Sequence, residues 1–406
     1  MPRLDDILAS RLAAIREQGL FRALRRVDSP QAPRLGLDGR DYLNFASNDY
    51  LGFAFHPALR DAAAAAVQAF GAGSGAARLL GGSLAPHHEL ESGLAQFKGT
   101  EAALAFASGY AAALGTVPAL VGPGDVVIVD KLVHACLVDA ARLSGAQLRV
   151  FPHNDLGRLE RLLQWAERQE GPPQAGEPPR RPHVLVITES VFSMDGDRAP
   201  LREMAELKDR FGAWLMVDEA HATGLYGTHR RGGAEAAGVA DRIEVHMGTL
   251  GKALGAAGGF IAGSQILIDY LLNKARSFIF STAPVPAAAA AALAGLRLLE
   301  SPEGAQRCAA LWASVHRLRG LLGWDSDSAP PPSAILPVVI GDETEAMRIA
   351  GELRERGLFV PAVRYPTVPR GTARLRITLS AAHTADEIGT LAAALKELGL
   401  PRPPAT

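Results

Sequence analysis

Short apolar runs that close on an acidic residue recur through the middle of the chain. Residues 126–130 end at Asp130, residues 183–189 at Glu189 and residues 214–218 at Asp218, and residues 147–151 form a further apolar run. Helix-forming segments separate them. Continuous apolar strands divided by helices predict a mostly parallel sheet sandwiched by helices, an α/β fold over residues 100–260. Ligands of such sheets bind beyond the carboxyl ends of the strands, so Asp130, Glu189 and Asp218 are expected at one rim.

The flanking segments follow other patterns. Residues 1–19 interleave Arg3, Asp5, Asp6 and Arg11 with Leu4, Ile7, Leu8, Leu12 and Ile15, the spacing of an amphipathic helix and not of a signal peptide. Residues 42–52 begin with strand-like alternation and end in the turn formers Ser47, Asn48 and Asp49, and residues 62–69 favour a helix. Residues 169–182, rich in Pro, Gly and Glu, read as an exposed loop without chemistry. After Pro286 a helix over 287–299 leads to a helix over 306–322, a Pro-rich loop at 329–332 and a strand over 335–340. A helix over 343–356, a strand over 375–379 and a helix from Thr384 complete the chain, and no internal repeat is evident. The pattern divides the chain into an N-terminal helix and arm (1–55), a large α/β domain (56–295) and a small C-terminal α+β domain (296–406).

Composition narrows the function classes. The chain has 406 residues, enough for two or three domains, and 48% of them are hydrophobic. A net charge of −1 with 21% charged residues offers no long-range attraction to nucleic acid or an anionic membrane. The Ala-rich run 287–294 is too short and weakly apolar to span a bilayer. Cys136 and Cys308 stand far apart without metal-ligand spacing, so neither a disulfide framework nor a metal site is expected. A soluble protein of the reducing cytoplasm fits.

Residues 247–255 carry the chemistry around which the rest is read. Lys252 sits among small residues after a predicted strand, where a flat ligand could approach its amine. It is not a P-loop lysine, because no glycine lies five residues before Gly251 and Ala253 stands where Ser or Thr should bind magnesium. Nor are residues 71–78 a dinucleotide loop, since a helix precedes them and Ala76 replaces the third glycine. Asp218 at a strand end, His221 just beyond it, and Thr249 with Lys252 after another strand suit one cofactor. Pyridoxal phosphate needs an amine to hold it, a carboxylate to keep its ring nitrogen protonated, and donors for its phenolate and phosphate. A helix opening at Ser108-Gly109-Tyr110 would supply amide donors for the phosphate.

The blocks YLNFASNDYLG (42–52), TESVFSMDGD (188–197), VDEAH (217–221), TLGK (249–252) and PTVPRGTARLRITLSAAHT (366–384) resemble the α-oxoamine synthases over residues 15–395. These fold-type-I pyridoxal phosphate enzymes join an amino acid to an acyl thioester with loss of carbon dioxide. Within the family the chain most resembles the branch that condenses L-alanine with a pimeloyl thioester, carried by coenzyme A or acyl carrier protein, in biotin biosynthesis.

The resemblance implies a role for each matched residue. Lys252 would carry the cofactor and move the Cα proton, Asp218 would pair with the ring nitrogen, and His221 and Ser193 would contact the phenolate oxygen. His134 would stack on the ring and, like His221, assist catalysis. Gly109, Tyr110 and Thr249 would help hold the cofactor and its phosphate, and Ser281 and Thr282 would reach the phosphate of a neighbouring subunit in a homodimer with shared active sites. Arg376 with Asn48 would bind the substrate carboxylate, a planar fork suited to that group. Arg374, two residues away, should share its strand face, so the sequence does not separate the two. Arg22 and Thr367 match positions near the acyl substrate. Two rivals stand beside this reading: a glycine-using member of the family making 5-aminolevulinate or 2-amino-3-ketobutyrate, and a non-catalytic partner subunit that keeps the fold. The segment 365–372 favours the 5-aminolevulinate type, whereas Ala77, where those enzymes tend to carry Thr, leaves room for the methyl group of alanine.

Overall fold

The computed structural model describes residues 3–169, 181–324 and 333–400. Most of the expected loop at 169–182, and all of the Pro-rich loop at 329–332, lie outside the described residues. The chain forms two compact units, one of residues 48–310 and one of residues 1–47 with 311–406.

The unit 48–310 is built on a seven-stranded sheet. In spatial order its strands are Ala102–Phe106, Gly259–Gly263, Val245–Thr249, Trp214–Asp218, Val184–Glu189, Val126–Asp130 and Gln147–Phe151. The last five are parallel, as the apolar runs predict, while Gly259–Gly263 is antiparallel to both its neighbours. The two strands missing from the sequence reading, Ala102–Phe106 and Gly259–Gly263, are rich in Ala and Gly and lack the β-branched signature.

Side chains alternate between two cores. Val127, Val129, Leu185, Ile187, Met216 and Met247 pack on one face with Ala112, Ala113, Leu137 and Ala140 from the helices Gly109–Leu120 and Ala135–Ser144. Val126, Ile128, Val186, Leu215 and Val217 face the other way, against Leu159, Leu163, Met204 and Ala205 from Leu156–Glu167 and Leu201–Phe211. Each buried Val, Leu, Ile or Met among them contributes about 1.5–3 kcal/mol relative to exposure. By the same period of two, Glu189, Asp218 and Thr249 end their strands on the face that carries the first pair of helices.

The second unit holds two three-stranded sheets. Strand Arg40–Asn44 pairs antiparallel with Arg34–Leu37 and parallel with Leu358–Phe359, and Ala373–Thr378 lies between Ile335–Gly341 and Ala362–Val363. The units divide at 47/48 and 310/311, beside the boundaries expected at 55 and 295. Residues 1–47 join the C-terminal part because Leu43 N–H donates to the Gly357 carbonyl at 2.8 Å and Phe45 N–H to that of Phe359 at 2.9 Å, pairings far apart in sequence. The helix expected at the N-terminus runs Leu4–Glu17, and none of its residues is buried. Thr384 caps the last helix, Ala385–Glu397, through a capping box with Glu387. Among the described residues no helix is long and apolar enough to cross a membrane.

The antiparallel strand also sets a tolerance. A Cβ on Gly259 would stand 2.5 Å from the Gly109 nitrogen and from the Ser108 carbonyl carbon and oxygen, all backbone atoms. Gly259→Ala is expected to destabilise the protein by about 1–3 kcal/mol, read as a lower urea midpoint at unchanged slope.

Candidate active site

Helix starts and strand ends meet at one rim. Ser108 caps the helix Gly109–Leu120, its Oγ accepting the Ala111 amide at 3.0 Å, which leaves the amides of Gly109 and Tyr110 as the first two of the helix. A Cβ on Gly109 would lie 2.5 Å from Thr249 Cγ2, so glycine is what lets the helix start approach that strand end. Thr249 Oγ1 is buried and makes no hydrogen bond among the described residues. Two helix-start amides and an orphaned hydroxyl together form a cradle for an anion.

His134 opens the neighbouring helix Ala135–Ser144 as its N-cap. Its Nδ1 accepts the Cys136 amide at 3.2 Å, and an amide can only donate, so the proton of the neutral ring resides on Nε2. Burial is the main cause holding its pKa below the usual histidine value, which keeps the ring neutral. The His134 amide donates to Glu189.

Glu189 and Asp218 are register partners on adjoining strands and only 2% and 5% exposed. Burial raises both carboxyls from their ordinary values, Glu189 well above; the Asp218 charge raises Glu189 further, while Lys252 draws both back. Asp218 Oδ1 accepts the Ala220 amide at 2.8 Å, and the carboxylate forms no ion pair among the described residues.

Lys252 follows the strand Val245–Thr249 in a turn closed by Gly255 N–H to the Lys252 carbonyl and Leu250 N–H to that of Gly258, both 2.9 Å. Gly255 has φ +66° and a Cβ there would stand 2.6 Å from the Phe53 backbone, so only glycine suits the turn. The Lys252 Nζ lies 2.9 Å from His221 Nε2. Ser193 is buried, and its amide helps hold Glu189. Its loop is fastened by the Val191–Arg198 bridge and by His153, whose ring lies 3.0 Å from Asp130 Oδ1 and 2.6 Å from Asp197 Oδ2. Burial alone would lower the His153 pKa, but the two carboxylates outweigh it and push it up to about 10.

A family model for class I and II aminotransferases matches residues 40–395. The chain belongs to the class I and II aminotransferase family. Within it the chain is an α-oxoamine synthase. It is 51% identical over 395 residues to an 8-amino-7-oxononanoate synthase of Anaeromyxobacter sp. (strain Fw109-5), covering 97% of this chain and 96% of that one. It is 46% identical over 389 residues to the enzyme of the same name from Geotalea daltonii, covering 96% of each. Among solved structures, a serine palmitoyltransferase from S. paucimobilis with a bound PLP–myriocin aldimine superposes with a TM-score of 0.86 at 30% identity, covering 97% of this chain and 98% of that one. An 8-amino-7-oxononanoate synthase from Francisella tularensis gives a TM-score of 0.71 at 26% identity, covering 88% and 98%.

The rim of this family member fits pyridoxal phosphate on its own chemistry. A cationic ring nitrogen would meet the carboxylate of Asp218, a phosphate would meet the Gly109 and Tyr110 amides with the Thr249 hydroxyl, and Lys252 supplies the amine. The structure brings together Gly109 with Thr249, and Lys252 with His221, and sets His134 and Ser193 on the Glu189 carboxylate. The Tyr110 side chain points elsewhere, its hydroxyl donating to Asp139. Ser281 and Thr282 lie on a segment that pairs with residues 76–77, Thr282 forming a bridge to Ala77 beside the exposed Phe280. In the other unit Arg22 Nη2 donates to Thr367 Oγ1 at 3.3 Å, uniting the two residues expected near an acyl chain. Arg374 and Arg376 are both buried on Ala373–Thr378, donating to the Thr372 carbonyl (3.1 Å) and the Thr378 hydroxyl (2.9 Å), so burial does not choose between them.

Two residues of the site had no role in the sequence reading. Glu189 was legible as an acid at a strand end, but its bond to the His134 amide spans 55 positions. Tyr50, inside the block 42–52, meets His221 across 171 positions, and no local pattern signals that.

The titrations have definite signs. His153 keeps its proton in the fold between the unfolded value of 6.5 and about 10, so its contribution to stability is complete below 6.5 and lost as pH rises to about 10. His153→Gln is expected to flatten the unfolding free energy over that window, measured by urea denaturation at successive pH values. Asp218, with its pKa raised, opposes folding as pH rises above the ordinary carboxylate range. Cofactor-free Asp218→Asn is therefore expected to melt at a higher temperature than wild type at neutral pH, a gap that closes in acid.

Proposed function

We propose that the chain catalyses the decarboxylative condensation of L-alanine with a pimeloyl thioester, carried by coenzyme A or acyl carrier protein. The products are 8-amino-7-oxononanoate, carbon dioxide and the free thiol, a step of biotin biosynthesis. The observation that carries this reading is the Lys252 amine, 2.9 Å from His221 and just beyond the strand that adjoins that of Asp218, in a chain about half identical to synthases of that name.

Pyridoxal phosphate, when bound, supplies an electron sink that stabilises negative charge at the Cα of an amino acid. Asp218 holds the proton on the ring nitrogen, and its burial strengthens that contact. His134 offers a neutral ring face for stacking, oriented by the Cys136 amide. His221 and Ser193 contact the phenolate oxygen, and Gly109, Tyr110 and Thr249 bind the phosphate. Lys252 Nζ takes the proton from Cα of alanine and returns one there after carbon dioxide has left. Between these events a bond forms from Cα to the thioester carbonyl carbon and the carbon–sulfur bond breaks, with His221 or His134 aiding the carbonyl. Arg376, with Asn48, binds the alanine carboxylate, and Arg22 with Thr367 serves the acyl substrate.

The active unit is a homodimer in which Ser281 and Thr282 reach the partner's cofactor phosphate. Phe280, 72% exposed, Leu80 and Val285 beside that segment support a covered surface there. The setting is cytoplasmic, which suits two buried free cysteines, Cys136 and Cys308.

Thiol release, measured for alanine, glycine and serine against acetyl, succinyl and pimeloyl thioesters, should be fastest for alanine with pimeloyl; preference for glycine would instead support a sister activity. Lys252→Ala should abolish both turnover and the visible absorption of the holoenzyme, whereas a colourless wild type with added cofactor would point to a non-catalytic subunit. Asp218→Ala should lower kcat by about 100-fold or more.

A further inference from the structure

Two histidines serve the rim, and they are held differently. His134 has its tautomer set by a backbone amide, whereas both ring nitrogens of His221 meet side chains: Tyr50 Oη lies 2.5 Å from Nδ1 and Lys252 Nζ 2.9 Å from Nε2. Tyr50 is fully buried, between Asp49 and the buried Leu51 and Phe53. Its turn is fixed by Asp49, whose carboxylate accepts the Phe53 amide at 2.8 Å and the Ala54 amide at 3.1 Å. Arg307 reinforces it by donating to the Leu51 carbonyl at 3.0 Å. The Tyr50 ring meets the imidazole edge-on, with centroids 6.0 Å apart. The hydroxyl is thus presented by a rigid segment, not by a mobile side chain at the surface.

We infer that Tyr50 is a positioning residue for the reaction: its hydroxyl donates to His221 Nδ1 and so keeps the imidazole proton on Nε2, the nitrogen that faces Lys252. A phenol hydroxyl is a stronger donor than a neutral imidazole N–H, and an unprotonated ring nitrogen is a better acceptor than a phenol oxygen, so the short contact runs from oxygen to nitrogen. With that polarity Nε2–H faces Nζ and favours the neutral amine, the form that attacks a carbonyl, over the ammonium whose charge draws on Glu189 and Asp218. The same Nε2–H is then ready for an acceptor-only oxygen such as a phenolate. That last consequence rests on the role proposed above for His221; the tautomer does not.

The test is ¹⁵N NMR of the full-length protein with ring-labelled histidine, without and with pyridoxal 5′-phosphate, the His221 signals being identified by their absence in His221→Asn. An unprotonated Nδ1 and a protonated Nε2 in the wild type are expected in both states. Tyr50→Phe should mix the two tautomers and raise the dissociation constant of pyridoxal 5′-phosphate about tenfold, the loss of a single polar contact. It should lower kcat more than it changes KM for alanine, while the circular dichroism spectrum is kept. A protonated Nδ1 in the wild type overturns the inference without any variant, as does a Tyr50→Phe spectrum identical to wild type. A protein with the expected tautomer that condenses alanine with no thioester upholds the inference and overturns the proposed function.

Discussion

Asp218 ends the strand Trp214–Asp218 and Glu219 follows it, and burial treats the two acids in opposite ways. Glu219 turns toward the core that contains Ala234, accepts the Ala234 amide at 2.9 Å and meets the ammonium of Lys98. Burial would raise its pKa, but Lys98 and His246 outweigh that and hold it at about 2. Asp218 faces the other core with an amide as its partner and no ion pair among the described residues, so its burial is only partly offset, by the Lys252 charge and that amide. A buried carboxylate without a counter-ion is a standing demand for a cation. The remainder of the site is arranged around it.

The demand exists because the sheet is covered on both faces. Val126–Asp130 and Trp214–Asp218 carry apolar side chains toward both cores until their last residue, and only there can a charge be placed. Parallel strands then bring such ends to the same rim as the starts of the helices that follow. Glu189 therefore accepts the amide of His134, the cap of Ala135–Ser144, and Asp218 is its register partner. Anion cradle and cation site come from one topological fact.

Glycine and polar clamps set the fine geometry. Gly109 and Gly259 allow a helix start, a parallel strand and an antiparallel strand to approach within distances no Cβ permits. The His153 clamp joins Asp130 to Asp197 and so fastens the loop of Ser193 to the strand Val126–Asp130. His134 and His221 differ in that one is oriented by its own helix and the other by a distant side chain.

The parallel strands, their acidic ends and the small-residue turn that carries Lys252 were determined by the sequence itself, because burial on two faces leaves a continuous apolar run and turn chemistry leaves small residues around Lys252. Motif order along the chain carried the family. Tertiary structure decided what spans long separations: the antiparallel strand Gly259–Gly263, the union of residues 1–47 with the C-terminal part, and the bond from Tyr50 to His221. It also decided which of two adjacent acids is neutralised, because the faces of a strand are chemically distinct only once both cores have formed. Local patterns record what each residue prefers; which partner satisfies that preference is set by contacts between segments that the sequence keeps apart.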